Sequence, residues 1–138
     1  MNLNRYHEQH TEIHGQLKDL HQRLEPAALA ADPGAARQSL VTLGAKLNIH
    51  LAFEDLALYP PLLKNPDPAV QTKARTYMDE MGGLKETLGS HLRRWLNLQR
   101  VQEEPQAFRE ETLELSQALE RRLRAEDGDF YPMLERLA

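Results

Sequence analysis

Apolar residues recur every three or four positions over almost the whole of this 138-residue chain. Such a spacing places them on one face of a helix, and no stretch of strand length alternates with a period of two. Four such helices joined by short loops form an antiparallel bundle. We therefore predict a single domain over residues 1–138, an all-α antiparallel up-down-up-down four-helix bundle. The predicted helices cover roughly residues 3–25, 33–59, 67–101 and 105–137.

Proline, glycine and acidic residues indicate where the helices begin and end. Asp32 and Asp67 are each followed by a proline, which is the pattern of an N-cap with proline at the first helical position. The Tyr-Pro-Pro run at 59–61 is expected to end or sharply kink the second helix, because proline lacks the backbone N–H. Gly82 and Gly83 lower the helix propensity of the third helix. We interpret this pair as the place where a neighbouring helix approaches closely.

The composition excludes several classes of protein. There is no cysteine, which rules out disulfides, thiolate metal ligands and thiol nucleophiles. The formal net charge is −4 and the acidic and basic residues are mixed along the chain, which argues against nucleic-acid binding. No apolar run approaches the roughly 18 residues of a membrane span. We expect a cytoplasmic protein that binds neither nucleic acid nor membrane; the sequence identifies no protein partner.

The two halves of the chain contain related segments. Residues 50–60 read HLAFEDLALYP and residues 122–132 read RLRAEDGDFYP. The Glu-Asp pair and the Tyr-Pro pair keep their positions, whereas the leading histidine has become arginine. The first and third helices match in the same way, with Tyr6 equivalent to Tyr77. This indicates two copies of one helical hairpin, one of which has diverged.

Several polar residues occupy positions that face the predicted core. His50 and Glu54 are four residues apart and therefore lie on one face of a helix, one turn apart. A buried carboxylate without a partner is very costly, so it requires a cation or several hydrogen-bond donors. Imidazole nitrogen and carboxylate oxygen together suit iron, manganese or zinc, which helical bundles hold between facing helices. The predicted metal ligands are His10, His50, Glu54 and Glu126.

In these motifs the chain resembles a hemerythrin-type HHE cation-binding domain over nearly its whole length. The resemblance rests on His10 within Glu-Gln-His, on His50-x-x-x-Glu54 before Leu-Tyr-Pro, and on the second acidic pair before Phe-Tyr-Pro. It implies a four-helix bundle with two non-heme irons bridged by carboxylates. His10 and His50 would then ligate one iron. Glu54 and Glu126 would bridge the irons, with Asp127 as the alternative acid on the fourth helix.

Two positions depart from the family pattern. Met81 stands in place of the third-helix histidine, and Arg122 stands in place of the fourth-helix histidine. Both replacements fall on the second iron, and a guanidinium cannot be a ligand because it does not deprotonate in proteins. We therefore expect one non-heme iron rather than two. The alternative is a metal-free layer in which Arg122 or Lys85 pairs with the two buried glutamates.

The expected function follows from an open coordination position on the iron, where a diatomic gas can bind. We expect a protein that senses or handles iron, oxygen or nitric oxide, as the resemblance suggests. The alternative is a metal-free bundle that acts as a regulatory or protein-interaction module. We expect no enzymatic activity, since too few ligands remain for a di-metal oxidase or peroxidase. The Tyr-Pro pairs at 59–60 and 131–132 are expected to cap the bundle end or to close over the site.

Overall fold

The chain folds almost entirely into helices, which confirms the prediction of an all-α bundle. The computed structural model describes residues 2–137 and contains no strand in that range. Among these described helices, none combines the length and apolar character needed to cross a membrane. Two of the elements are π-helical turns of five residues. The elements are α1 (Asn4–Arg23), α2 (Pro26–Ala31), α3 (Pro33–Phe53), π1 (Glu54–Leu58), α4 (Tyr59–Leu63), α5 (Pro68–Arg94), α6 (Leu98–Glu103), α7 (Pro105–Ala125), π2 (Glu126–Phe130) and α8 (Tyr131–Glu135).

The predicted N-caps begin α3 and α5. The Asp32 carboxylate accepts a hydrogen bond from the backbone N–H of Ala35 at 3.0 Å. The Asp67 carboxylate accepts one from the backbone N–H of Ala69 at 2.9 Å. A proline follows each aspartate in the first turn, where its missing N–H has no consequence. Both helix starts are therefore confirmed.

The second long helix does not end at Tyr59-Pro60-Pro61, which was one of the two predicted outcomes of this run. It passes through π1 and continues as α4 to Leu63. At the end of π1 the backbone N–H of Tyr59 bonds to the carbonyl of Glu54, five residues earlier, which is the spacing of a π-helix. The wider turn shifts the hydrogen-bond register just before the two prolines. Their missing N–H groups therefore fall in the first turn of α4.

The third long helix is shorter than the predicted span of residues 67–101. α5 ends at Arg94, and a separate helix, α6, begins at Leu98. Trp95 is buried beyond the end of α5. The side chain of Asn97 accepts the backbone N–H of Gln99 at 2.8 Å and so caps a new helix. The prediction missed this break because Asn97 interrupts no apolar stripe.

The four long helices form a closed ring of neighbours. α1 packs against α3 and α7, and α5 packs against the same two helices. Within each of the pairs α1–α3 and α5–α7 the chain runs in opposite directions, because later residues of one helix meet earlier residues of the other. The contacts that show this are His10 with His50 and Gln16 with Ser39, and then Tyr77 with Ala125 and His91 with Thr112.

Two apolar clusters fill the bundle, one on each side of a polar layer. The larger cluster consists mainly of leucines, together with Trp95 and Phe108. His10 lies between Tyr6 of the smaller cluster and Ile13 of the larger one along α1, which places it in the layer between them. The aromatic members of the smaller cluster are Tyr6, Tyr59, Tyr77, Phe130 and Tyr131.

The internal repeat predicted from the sequence is visible in the structure. The hydroxyl of Tyr6 donates to the carbonyl of Phe53 at 3.5 Å, and the hydroxyl of Tyr77 donates to the carbonyl of Ala125 at 3.1 Å. Each of these carbonyls belongs to the residue directly before a π-helical turn. The two hairpins therefore share their local structure at the polar layer, although their sequences differ there.

Gly82 and Gly83 do not mark the close approach of another helix. A Cβ atom added to either residue would meet no other atom within 4 Å. Both glycines lie on an open part of α5, and the interpretation of this pair as a packing contact is wrong.

Candidate metal centre

The four residues predicted as metal ligands come together inside the bundle. His10 lies on α1 and His50 in the last turn of α3, while Glu54 and Glu126 begin the two π-helical turns. None of the four is more than 2% exposed. The ligand atoms of His10, His50 and Glu126 lie within 4.8 Å of one another. Oε1 of Glu54 lies 3.2 Å from Nε2 of His50, so Glu54 belongs to the same group.

Polar partners outside this group fix the orientation of both imidazole rings. Nδ1 of His10 donates to the Asp127 carboxylate at 2.8 Å, because a carboxylate can only accept. Nδ1 of His50 donates to the amide oxygen of Gln9 at 2.8 Å. With both Nδ1 atoms protonated, each Nε2 presents its lone pair to the interior. The two Nε2 atoms are 3.0 Å apart, so a proton or a metal ion must lie between them.

The distances fit one metal ion. At metal–nitrogen bonds of about 2.1 Å, neighbouring ligand atoms are about 3.0 Å apart at a right angle and about 3.4 Å apart in a tetrahedron. Nε2 of His50 lies 3.0 Å from Nε2 of His10 and 3.2 Å from Oε1 of Glu54. Both nitrogens are 3.9 Å from Oε1 of Glu126. Small movements of the side chains would therefore bring all four residues to one ion.

Buried oxygen atoms in the group have no hydrogen-bond donor. Within residues 2–137, Oε1 of Glu54 and both carboxylate oxygens of Glu126 lack a partner. The other oxygen of Glu54 accepts from the hydroxyl of Tyr131 at 2.9 Å. Unsatisfied buried acceptors are costly, and oxygen atoms of this kind are the ligands that a divalent cation requires. The donor set therefore fits a mononuclear site with two nitrogen and two carboxylate ligands.

Without a metal, the layer holds a proton. Burial lowers the pKa of His50, but the carboxylates of Glu126 and Glu54 outweigh this effect and raise it to about 9. The pKa of His10 is lowered, chiefly by burial. Burial, together with the neighbouring Glu54, raises the pKa of Glu126 to about 7. In the metal-free protein a proton therefore lies on His50, beside the carboxylates of Glu54 and Glu126.

The second copy of the repeat has different side chains where the first copy has its two histidines. Met81 is buried where the first half has His10. The guanidinium of Arg122 forms an ion pair with Glu80 at 2.5 Å and lies over the ring of Tyr77, 4.3 Å from its centroid. Neither the methionine nor the arginine replaces a histidine as a ligand. The ligand set of a second iron, as the resemblance implies it, is therefore incomplete.

The cationic pairs proposed for a metal-free layer do not form. Arg122 donates to Glu80 and to the carbonyl of Tyr77, not to Glu54 or Glu126. Lys85 is exposed, and no ion pair joins it to the other described residues. Arg122 turns away because the long side chain reaches the surface carboxylate of Glu80. The raised pKa of His50 instead favours a neutralising proton on that imidazole.

Three residues outside the group of four contact its members. Asp127, considered as an alternative bridging acid, contacts Nδ1 of His10 and so lies behind the imidazole ring. The Tyr-Pro pairs were predicted either to cap the bundle end or to close over the site. Tyr131 closes over the site, with its hydroxyl between Glu54 and His10. Nothing in the sequence indicated a role for Gln9, except that it directly precedes His10.

Comparison with known proteins agrees with this geometry. The family model described as "Hemerythrin HHE cation binding domain" matches residues 1–134. No curated protein and no solved structure gives a significant match. The matched residues include all four members of the buried group and both π-helical turns. The chain therefore belongs to the hemerythrin HHE cation-binding domain family.

Proposed function

We propose that this protein binds one non-heme iron ion through His10, His50, Glu54 and Glu126, and that it senses or handles iron, oxygen or nitric oxide. Family membership supports the binding of a cation. The main structural support is the pair of buried Nε2 atoms, which lie 3.0 Å apart. A mixed set of imidazole and carboxylate ligands suits iron, and the bound ion would supply an open position for a diatomic ligand.

The chain's own residues prepare the site for the ion. Asp127 and Gln9 hold the two imidazoles in the tautomer that offers Nε2. The hydroxyl of Tyr131 holds one oxygen of Glu54 and leaves the other free. The apolar clusters on both sides of the layer exclude water from it. This arrangement supports a binding role, and we assign no catalytic step to it.

The iron content of the purified protein tests this proposal. Protein purified without oxygen and without a metal-chelating tag is expected to contain close to one iron per chain. Elemental mass spectrometry measures this content. His50→Ala is expected to lose most of this iron, because it removes a ligand. His21→Ala is the matched control, since His21 contacts Ser116 away from the layer. Iron content that is low in the wild type and unchanged by His50→Ala would refute the proposal.

A metal-free bundle that acts as a regulatory or interaction module is the second candidate. The observation that favours it is the raised pKa of His50, which allows a proton to neutralise the layer. In that case a chelator leaves the melting temperature unchanged. If iron binds only the folded protein, a chelator lowers the melting temperature instead.

A further inference from the structure

The outward face of α3 is apolar, whereas the outward faces of the other long helices contain many charged residues. Between residues 40 and 53 the only lysine, arginine, aspartate or glutamate is Lys46. Five large apolar side chains are exposed among residues 2–137, and three of them lie on one stripe of α3 and π1. The stripe consists of five exposed residues, Val41, Ala45, Ile49, Ala52 and Leu56. A helix that is apolar on its outward as well as its inward face is usually covered on both.

The stripe has nearly the same order of side chains in both directions. Its midpoint falls between Asn48 and Ile49, and residues at equal distances from that point are similar in size and polarity. The corresponding pairs are Val41 with Leu56, and Ala45 with Ala52. A two-fold interface requires a surface that is complementary to itself. A two-fold axis through the midpoint, perpendicular to α3, would place each residue of the stripe opposite its counterpart in a second copy.

The charged residues on the α5 side of the stripe fit this axis. Asp55 and Arg93 line the groove between α3 and α5, and neither forms an ion pair with another residue in the described range 2–137. Arg93 follows Leu92, whose side chain lies beside Gly44, so Arg93 is near the first half of the stripe. Asp55 lies at the other end. Rotation about the axis brings Asp55 to the level of Thr42 in the second copy, beside the Arg93 of that copy.

The charged residues on the α1 side fit the same axis. Nζ of Lys46 lies 3.8 Å from the carboxylate of Glu12. Glu8 is one turn earlier on α1 and precedes Gln9, whose side chain contacts His50. Rotation about the axis brings Lys46 within one residue of that level in the second copy, beside its Glu8. On both flanks of the stripe, opposite charges would therefore face each other across the axis, which favours this orientation.

We propose that two copies of this chain pair through the outward face of α3, with the two α3 helices antiparallel and the two-fold axis between Asn48 and Ile49. The stripe is about 22 Å long. With the flanks of α1 and α5 the contact is about 18 Å wide, at ordinary distances between helix axes. It therefore covers about 400 Å² of each copy, which is the size of a weak dimer. The dimer does not depend on the metal site, because the ligands of that site face the interior.

Analytical ultracentrifugation of the full chain, at protein concentrations up to about 1 mM, tests the dimer. Ile49→Glu places two like charges at the axis and is expected to weaken dimerisation at least about tenfold. Leu96→Glu is the matched control at an exposed leucine outside α3, and it should dimerise like the wild type. Asp55→Arg and Arg93→Asp should each weaken the dimer. The double variant should restore it, because it only exchanges the two charges.

Cysteine crosslinking tests the orientation of the two helices, since the chain has no cysteine of its own. Ile49→Cys is expected to form a disulfide-linked dimer on mild oxidation, because the axis passes beside this residue. Leu56→Cys is expected to form very little, although Leu56 is 81% exposed and Ile49 only 57%. In the antiparallel dimer the two copies of residue 56 are about 22 Å apart. A disulfide requires Cα atoms within about 7 Å of each other.

Three results would overturn the proposal. The first is a wild-type protein that stays monomeric up to about 1 mM, which would leave the stripe to a different partner. The second is a dimer that is equally stable in the wild type and in Ile49→Glu. The third is crosslinking of Leu56→Cys as fast as that of Ile49→Cys, which would exclude the antiparallel arrangement. If Ile49→Glu does not fold, as circular dichroism shows, the charge exchange between Asp55 and Arg93 decides, because both residues are exposed.

Discussion

At the scale of single residues, the site depends on groups that would not touch the metal. Gln9 and Asp127 each accept the Nδ1 proton of one imidazole and so direct the other nitrogen inward. Without such a partner, a histidine can expose either nitrogen and can rotate. Each outer partner thus holds its histidine in the one tautomer whose Nε2 can bind a metal ion.

Gln9→Leu is expected to lower metal affinity by about 10- to 100-fold, as found for other outer partners of metal-bound histidines. The ring of His50 would lose its only described acceptor at Nδ1. Gln9→Glu keeps an acceptor there and should retain most of the affinity. Competition with a chelator of known cobalt affinity measures the difference. Gln16→Leu, at a glutamine that contacts Ser39 outside the layer, is the control. Equal affinities of Gln9→Leu and the wild type would show that Gln9 does not orient the ligand.

At the scale of helices, the apolar spacing predicted the long helices but not their interruptions. The caps at Asp32 and Asp67 were predictable because they depend on neighbouring residues. The π-helical turns were not, because a change from four- to five-residue hydrogen bonding leaves the apolar pattern almost unchanged. The end of α5 was missed for a similar reason. Trp95 keeps the apolar spacing of the helix although it lies beyond its last residue, so the spacing did not show where α5 ends.

Gly82→Ala and Gly83→Ala are each expected to raise the free energy of unfolding by about 0.5–1 kcal/mol. Alanine has the higher helix propensity, and an added Cβ atom meets nothing within 4 Å at either position. Chemical denaturation of the metal-free protein measures the change. Gly44→Ala is the contrasting variant, because its Cβ would lie 2.9 Å from Cδ1 of Leu92. A loss of stability in both α5 variants would contradict this account of the glycine pair.

At the scale of the whole molecule, the two copies of the repeat differ at the buried layer. The first copy has His10 and His50, and the second has Met81 and Arg122 at the equivalent positions. That His50 and Glu54 share a face was predictable from their four-residue spacing, and His10 and Glu126 followed from the apolar stripe and the internal repeat. The direction of Arg122 was not, because it depends on the distance to Glu80 in another helix. The raised pKa of His50 also required the structure, since it depends on how close the buried carboxylates lie to the imidazole ring.

The stability of the metal-free protein should depend on pH through His50. Its pKa is about 9 in the folded protein and near 6.5 in the unfolded chain. Its stabilising contribution is therefore complete below pH 6.5 and is lost as the pH rises to about 9, on the order of 3 kcal/mol. Denaturation in the presence of a chelator at several pH values measures this loss. His50→Gln should lack it and His21→Ala should keep it. A wild-type stability that is constant from pH 6.5 to 9 would contradict the placement of the proton.

Asp127 has a further consequence for exchange between the buried layer and the solvent. Its side chain is 35% exposed while its Oδ1 contacts the buried His10, and the rings of His7 and His14 approach it to 3.9 Å and 3.7 Å. A cation that enters the layer must expel the proton held there. Through Asp127, a hydrogen bond connects the buried His10 with a side chain that reaches the solvent. The speed of loading, as well as the final affinity, would then depend on a side chain at the surface of the protein.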